Sequence, residues 1–148
     1  PLKHNEAKKM APINPAGVFL NWNEIEKMSD ICNFHSHTNG HGDAYFDSLK
    51  LADDIFTCKK IIKHRLGFDD KHLCWPRGRY SMESIKIAKK LGYEIFYTVE
   101  RGVEFSDKKL DKVTRIGTKG GAFWLARTLF LYQNSFTRTI YEKLHGKR

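Results

Sequence analysis

No run of about 18 or more apolar residues occurs in the 148-residue chain, so no segment reads as a membrane-spanning helix. Cysteine is scarce and odd in number: Cys32, Cys58 and Cys74 cannot form a closed disulfide framework, and no C-x-x-C spacing is present. Cys32 and Cys74 fall in strand-like runs and read as small buried hydrophobes. There is no recognisable signal peptide, and the chain opens without Met on a polar stretch, Pro1 to Met10, as expected of an internal piece. There is no arginine-rich block and no nucleic-acid-binding motif. Acidic residues are the minority, 17 against 26 basic, which leaves a formal charge of +9. Such a surplus attracts polyanions of any kind. The basic residues are scattered, however, with only short pairs such as Lys59-Lys60 and Lys89-Lys90. A solvated, lysine-rich surface accounts for them, and nucleic acid is not an expected partner.

What remains is enough for one packed domain: 41% of the residues are apolar and 13% aromatic. Residues 1–18 contain Pro12, Pro15 and Gly17 and show no hydrophobic period, so they read as a loop or linker. Asn21 or Asn23 is a plausible N-cap for a brief helix with Glu24 and Glu26 near its positive end. Asp30 to Ser36 is a strand candidate. A long helix starts at Asp47 or Ser48; Leu51, Ile55, Ile62 and Leu66 recur at helical spacing and Gly67 stops it. His72 to Pro76 reads as a short strand running into a turn, Arg77 to Tyr80. Ser81 caps a helix whose inner stripe is Ile85, Ala88 and Leu91 and which Gly92 ends. Glu94 to Val99 and Val113 to Ile116 read as strands. Gly120-Gly121 precedes an apolar helix from about Ala122 to Tyr132, and residues 134–148 read as a basic tail or terminal helix.

Strands separated by long helices need crossover connections, which implies an α/β fold with a mostly parallel sheet or barrel. In such folds ligands gather at the carboxyl ends of the strands. Three segments fall there: the run Asn33 to His41, the turn Trp75 to Arg79, and Glu100-Arg101.

The run Asn33-Phe34-His35-Ser36-His37-Thr38-Asn39-Gly40-His41 holds three of the seven histidines. On an extended segment residues two apart point the same way, which pairs His35 with His37. In a turn, residues four apart converge, which pairs His37 with His41. Either pair suits Zn²⁺ or a similar divalent ion, and a catalytic site needs a third protein ligand, for which Asp43 is the local candidate and a residue from an upstream segment the other.

His37-Thr38-Asn39-Gly40-His41 resembles the H-[S/T]-x-x-H motif of the polysaccharide deacetylases, the NodB-homology carbohydrate esterases. Leu73 to Tyr80 resembles the family's F-A-Y-P-Y-G-x-Y segment. Leu91 to Gly102 resembles the G-Y, strand and loop that follow, and Val113-Thr114-Arg115-Ile116 resembles the late L-x-R-[IL] strand of the poly-N-acetylglucosamine subgroup. The likeness covers roughly Phe19 to Leu129. It implies a distorted (β/α)7 barrel, here partial, and a metal-dependent hydrolase that removes N-acetyl groups from a polysaccharide. It implies His37 and His41 as metal ligands, with His35 a neighbour that an alternative register would make a ligand. It implies the backbone N–H near Arg77 as an oxyanion donor, and Trp75, Arg79 and Tyr80 as the border of a sugar groove. It further implies a place outside the cytoplasm.

The family's T-F-D-D-G motif, which carries the general base and the aspartate ligand, is absent from this sequence, and Arg77 replaces a usual Tyr. A single deacetylase-like domain over residues 1–148, lacking its N-terminal strands and a base of its own, is therefore the expectation. Two alternatives stand beside it. Phe34-His35-Ser36-His37-Thr38 resembles the H-x-H-T opening of PHP-type phosphoesterases, with His64, His72 and His145 as the only later histidines. A non-catalytic glycan-binding module that kept the fold is the other.

Overall fold

The computed structural model describes residues 2–41, 48–103, 110–117 and 120–145. Its centre is a parallel sheet of three strands in the order β1 (His72–Cys74), β2 (Ile95–Arg101) and β3 (Val113–Arg115). The histidine run joins β1 through one parallel bridge, Ser36 to Leu73, and the Cys74 N–H donates to the Ser36 carbonyl at 2.9 Å. The strand expected over Asp30 to Ser36 is thus reduced to a single bridge, and Ile31 is 82% exposed.

Six α-helices lie among the described residues, α1 (His4–Met10), α2 (Trp22–Met28), α3 (Ser48–Leu66), α4 (Met82–Lys90), α5 (Ala122–Gln133) and α6 (Ser135–His145), and α3 and α4 pack on the sheet. Their ends follow local chemistry. Asn21 Oδ1 accepts from the Glu24 N–H at 3.1 Å, while Glu24 Oε2 accepts from the Asn21 N–H at 2.8 Å, a reciprocal cap that starts α2. Ser81 and Ser84 make the same exchange at the start of α4. Gly67 and Gly92, at φ 79° and 84°, end α3 and α4 in the left-handed conformation that glycine adopts without cost.

Two expectations are corrected. Residues 1–18 are not simply loop: they carry α1 and a 3-10 turn at Pro15–Gly17. No residue of α1 is buried, so it leaves no hydrophobic period to read; its start is fixed by Glu6 accepting from the Lys3 N–H at 3.0 Å. Cys32 and Cys74 are half-buried rather than buried.

Leu73 and Phe96 lie opposite each other in register, and both are fully buried against the helix layer. They pack with Leu51 and Ile55 of α3, Ile85 and Ala88 of α4, Trp75 and Tyr93. Each of the buried Leu, Ile and Phe side chains contributes about 1.5–3 kcal/mol by leaving water. Because strand side chains alternate, His72, Cys74, Ile95 and Tyr97 occupy the other face, where they are half-buried. Since every pairing is parallel, Ser36, β1, β2 and β3 all end at one edge of the sheet. No described helix is long and apolar enough to cross a membrane.

Candidate active site

His37 follows the bridged residue Ser36, at the carboxyl edge. Its Nδ1 lies 2.8 Å from the Cys74 carbonyl oxygen. A carbonyl only accepts, so Nδ1 carries a proton and, in the neutral ring, Nε2 holds the lone pair, the arrangement a metal-ligating histidine uses. The His41 ring is 4.9 Å away, centroid to centroid, at an interplanar angle of 63°. An imidazole centroid sits about 3.2 Å from a zinc bound at 2.0–2.1 Å, so two rings sharing a tetrahedral ion are about 5.2 Å apart. The observed separation fits that spacing.

The connecting loop is strained. Thr38 (φ 63°), His41 (φ 48°) and Arg77 (φ 54°) are the positive-φ non-glycine residues among those described, and all three lie in the two segments the sequence marks as the site. Each such conformation costs on the order of 1–3 kcal/mol and survives only where neighbours hold it. Thr38 Oγ1 accepts from the His41 N–H at 3.2 Å. The Asp54 carboxylate accepts from the N–H groups of Asn39 and Gly40, at 3.0 and 2.7 Å. Asp54 sits on α3 between the buried Leu51 and Ile55.

His35 has different company. Its Nδ1 is 2.9 Å from Asp70 Oδ1, and its ring stacks on His72 with centroids 4.0 Å apart. Asp70 is fully buried and also accepts from the Ser36 N–H and hydroxyl, both at 2.6 Å, and from the His72 N–H at 3.0 Å. Burial, with the neighbouring His35, holds His72 below its ordinary pKa. Burial raises the pKa of Tyr97, whose hydroxyl is hydrogen-bonded to His72 Nδ1 at 2.8 Å. Neither Asp54 nor Asp70 stands out in the sequence. The signal for Asp54 is its position beside the inner-stripe residue Ile55; for Asp70 there is none, because a carboxylate just before a strand looks like any loop acid.

The turn after β1 lies against the same edge, and its residues separate by environment. Trp75 is 1% exposed, stacked on Phe96 (5.8 Å) and Tyr80 (6.3 Å). It is a core residue, which corrects its expected place on a sugar groove: it shares the inward parity of Leu73. Tyr80 is half-buried; its hydroxyl donates to Glu100 Oε1 at 2.6 Å, tying the turn to the end of β2, and the Lys112 ammonium lies 5.3 Å from its ring centre. Burial and the Glu100 hydrogen bond raise its pKa. Arg77 and Arg79 are exposed. Gly78 is at φ 66°, and a Cβ there would overlap the Val99 methyls.

A cavity of about 270 Å³ opens between the loop, α2 and α3, with Phe34, His37, Thr38, Cys58 and Ile62 in its wall. Burial raises the Cys58 thiol. Among the described residues no three His, Cys, Asp or Glu side chains gather as a metal site. His37 and His41 supply two ligands; Asp43 lies outside the described residues.

A parallel α/β sheet with the His37–His41 pair at its carboxyl edge belongs to the class of crossover-built folds that gather ligands at that edge. The chain belongs to the polysaccharide deacetylase family, whose model matches residues 3–96. That membership sets the phosphoesterase reading aside. No curated protein matches the sequence. Among solved structures, the chain is similar to the deacetylase PplD of Streptococcus pyogenes in complex with acetate (21% identity, TM-score 0.64, covering 72% of this chain and 48% of that one). It is also similar to IcaB from Ammonifex degensii (18%, 0.65, 74% and 52%) and to the BpsB deacetylase domain from Bordetella bronchiseptica (19%, 0.59, 66% and 48%). At these identities the likeness is one of fold. The chain spans about half the length of these structures.

Proposed function

We propose that this chain is the histidine-bearing part of a metal-dependent hydrolase that removes N-acetyl groups from an N-acetylglucosamine-type polysaccharide, built as a distorted (β/α)7 barrel and acting outside the cytoplasm. The observation that carries the reading is the histidine pair: His37, oriented through Cys74, with His41 at 4.9 Å. These two residues would hold Zn²⁺ or another divalent ion. A third ligand and a general base come from residues outside those described, either Asp43 or the aspartates of the family's T-F-D-D-G motif, which this sequence does not contain. A bound ion of this type lowers the pKa of its water to about 7 and polarises a carbonyl.

The chain's own residues do the rest. Cys74 fixes the tautomer of His37, and Thr38 holds the backbone of His41. By the family resemblance, a backbone N–H near Arg77 would donate to the oxyanion that forms as the amide is attacked; loss of one such donor typically costs about 10²–10³ in rate. Arg79 and Tyr80 border the sugar groove, with Tyr80 held by Glu100.

The test is acetate release from N-acetylglucosamine oligomers by the full-length protein, with and without a chelator. Chelator-sensitive release supports the proposal. Glycan binding without release would leave the binding module in its place, and neither would remove both.

A further inference from the structure

We propose that Asp54 is the positioning residue of the histidine pair: its carboxylate, fixed on α3, clamps the backbone of Asn39 and Gly40 and so keeps His41 beside His37. The inference rests on the deacetylase reading for its purpose, but its geometry stands on the structure alone.

Asp54 uses both oxygens, one on each N–H. The two amides lie between Thr38 and His41, the two residues forced to positive φ. A β-branched residue at positive φ is a genuine outlier, so the loop does not hold this shape by itself. The clamp is rigid at its base, because Leu51 and Ile55 on either side of Asp54 are 1% and 0% exposed. It is also close-fitting: a Cβ on Gly40 would approach Asp54 Oδ1 to 3.1 Å, so a side chain at position 40 would press the carboxylate back by a few tenths of an ångström. A charged acceptor makes stronger hydrogen bonds to backbone N–H than a neutral one. Asp54→Asn keeps the shape but offers one acceptor to two donors and turns an amide N–H₂ toward the other. Residues that orient metal ligands in this way typically change metal affinity about 10–100-fold when replaced.

The experiment uses the full-length protein and zinc alone as probe. Calorimetric zinc titration is combined with the metal-free NMR contact between the His37 and His41 rings. Asp54→Asn is expected to weaken zinc by about 10–100-fold and to lose the inter-ring contact, with the methyl signals of Leu51 and Ile55 in place. Asp54→Glu, which keeps two acceptors, is expected to recover part of both. Asp53→Asn, the same charge change at an exposed neighbour, is expected to change neither. The clamp is overturned if Asp54→Asn keeps the inter-ring contact, or if the contact is lost only together with the Leu51 and Ile55 signals, which is general loosening. If the wild type binds no zinc yet Asp54→Asn loses the contact, the deacetylase reading fails and the clamp stands.

Discussion

His37 Nδ1 and the carbonyl oxygen of Cys74 lie 2.8 Å apart, which joins the histidine run to β1 and turns one nitrogen of the ring into a donor. The other nitrogen is left as the acceptor. His35, two residues earlier, has its Nδ1 on Asp70 and its ring on His72. The two histidines therefore respond differently to removal. We expect His37→Ala and His41→Ala each to weaken zinc binding at least 100-fold in calorimetry, and His35→Ala to stay within about threefold of wild type, given the roughly 10–100-fold attached even to groups that only orient a ligand. Equal losses at His35 and His41 would favour the other pairing.

Asp70 serves the fold. Its carboxylate answers the Ser36 N–H and hydroxyl, His35 and the His72 N–H from a fully buried position. Asp70→Ala leaves those donors without their acceptor, and breaking a buried charged network in this way costs about 3–5 kcal/mol. Denaturant unfolding measures it; a loss under about 1 kcal/mol would mean that water replaces the carboxylate.

Gly78 is required twice over, by its φ of 66° and by Val99 beneath it. Gly78→Ala combines backbone strain with overpacking and is expected to cost about 2–4 kcal/mol. Val99→Ala in the same chain removes the two methyl overlaps and leaves the Val99 Cβ at 2.9 Å, so it should recover part of the packing cost. No recovery would place the whole cost in the backbone.

Stability should fall in mild acid. His72 is held below its ordinary pKa of 6.5 by burial and by His35, with Asp70 and Glu94 pulling the other way. The unfolded chain then binds more protons than the native one as the pH drops below about 6.5, so this contribution is complete above that pH and is lost through the lowered native pKa. Urea midpoints between pH 8 and 5 show the slope. His72→Gln is expected to flatten it, and an unchanged slope would assign the effect elsewhere.

Much of the fold can be read from the chain because its cues are local. Gly67, Gly92, Asn21 and Ser81 mark helix ends by their own backbone chemistry, and the Leu51–Ile55–Ile62 stripe marks the inner face of α3. The parallel sheet follows from spacing alone. What stayed hidden depends on contacts between distant residues. Trp75, which the resemblance put on the sugar groove, is placed with Leu73 in the core by the parity of β1. α1 buries nothing and leaves no period. The histidine pair is visible as H-T-x-x-H, but the carboxylates that hold the run, Asp54 and Asp70, come from 14 and 34 residues away. No spacing rule links them.

X-ray absorption at the zinc edge of the metal-loaded full-length protein reads the ion's own neighbours. The account requires a nitrogen shell at about 2.0–2.1 Å with the scattering of two imidazoles, falling to one in His37→Ala and in His41→Ala. A spectrum with no imidazole component, or one that neither substitution alters, would contradict it.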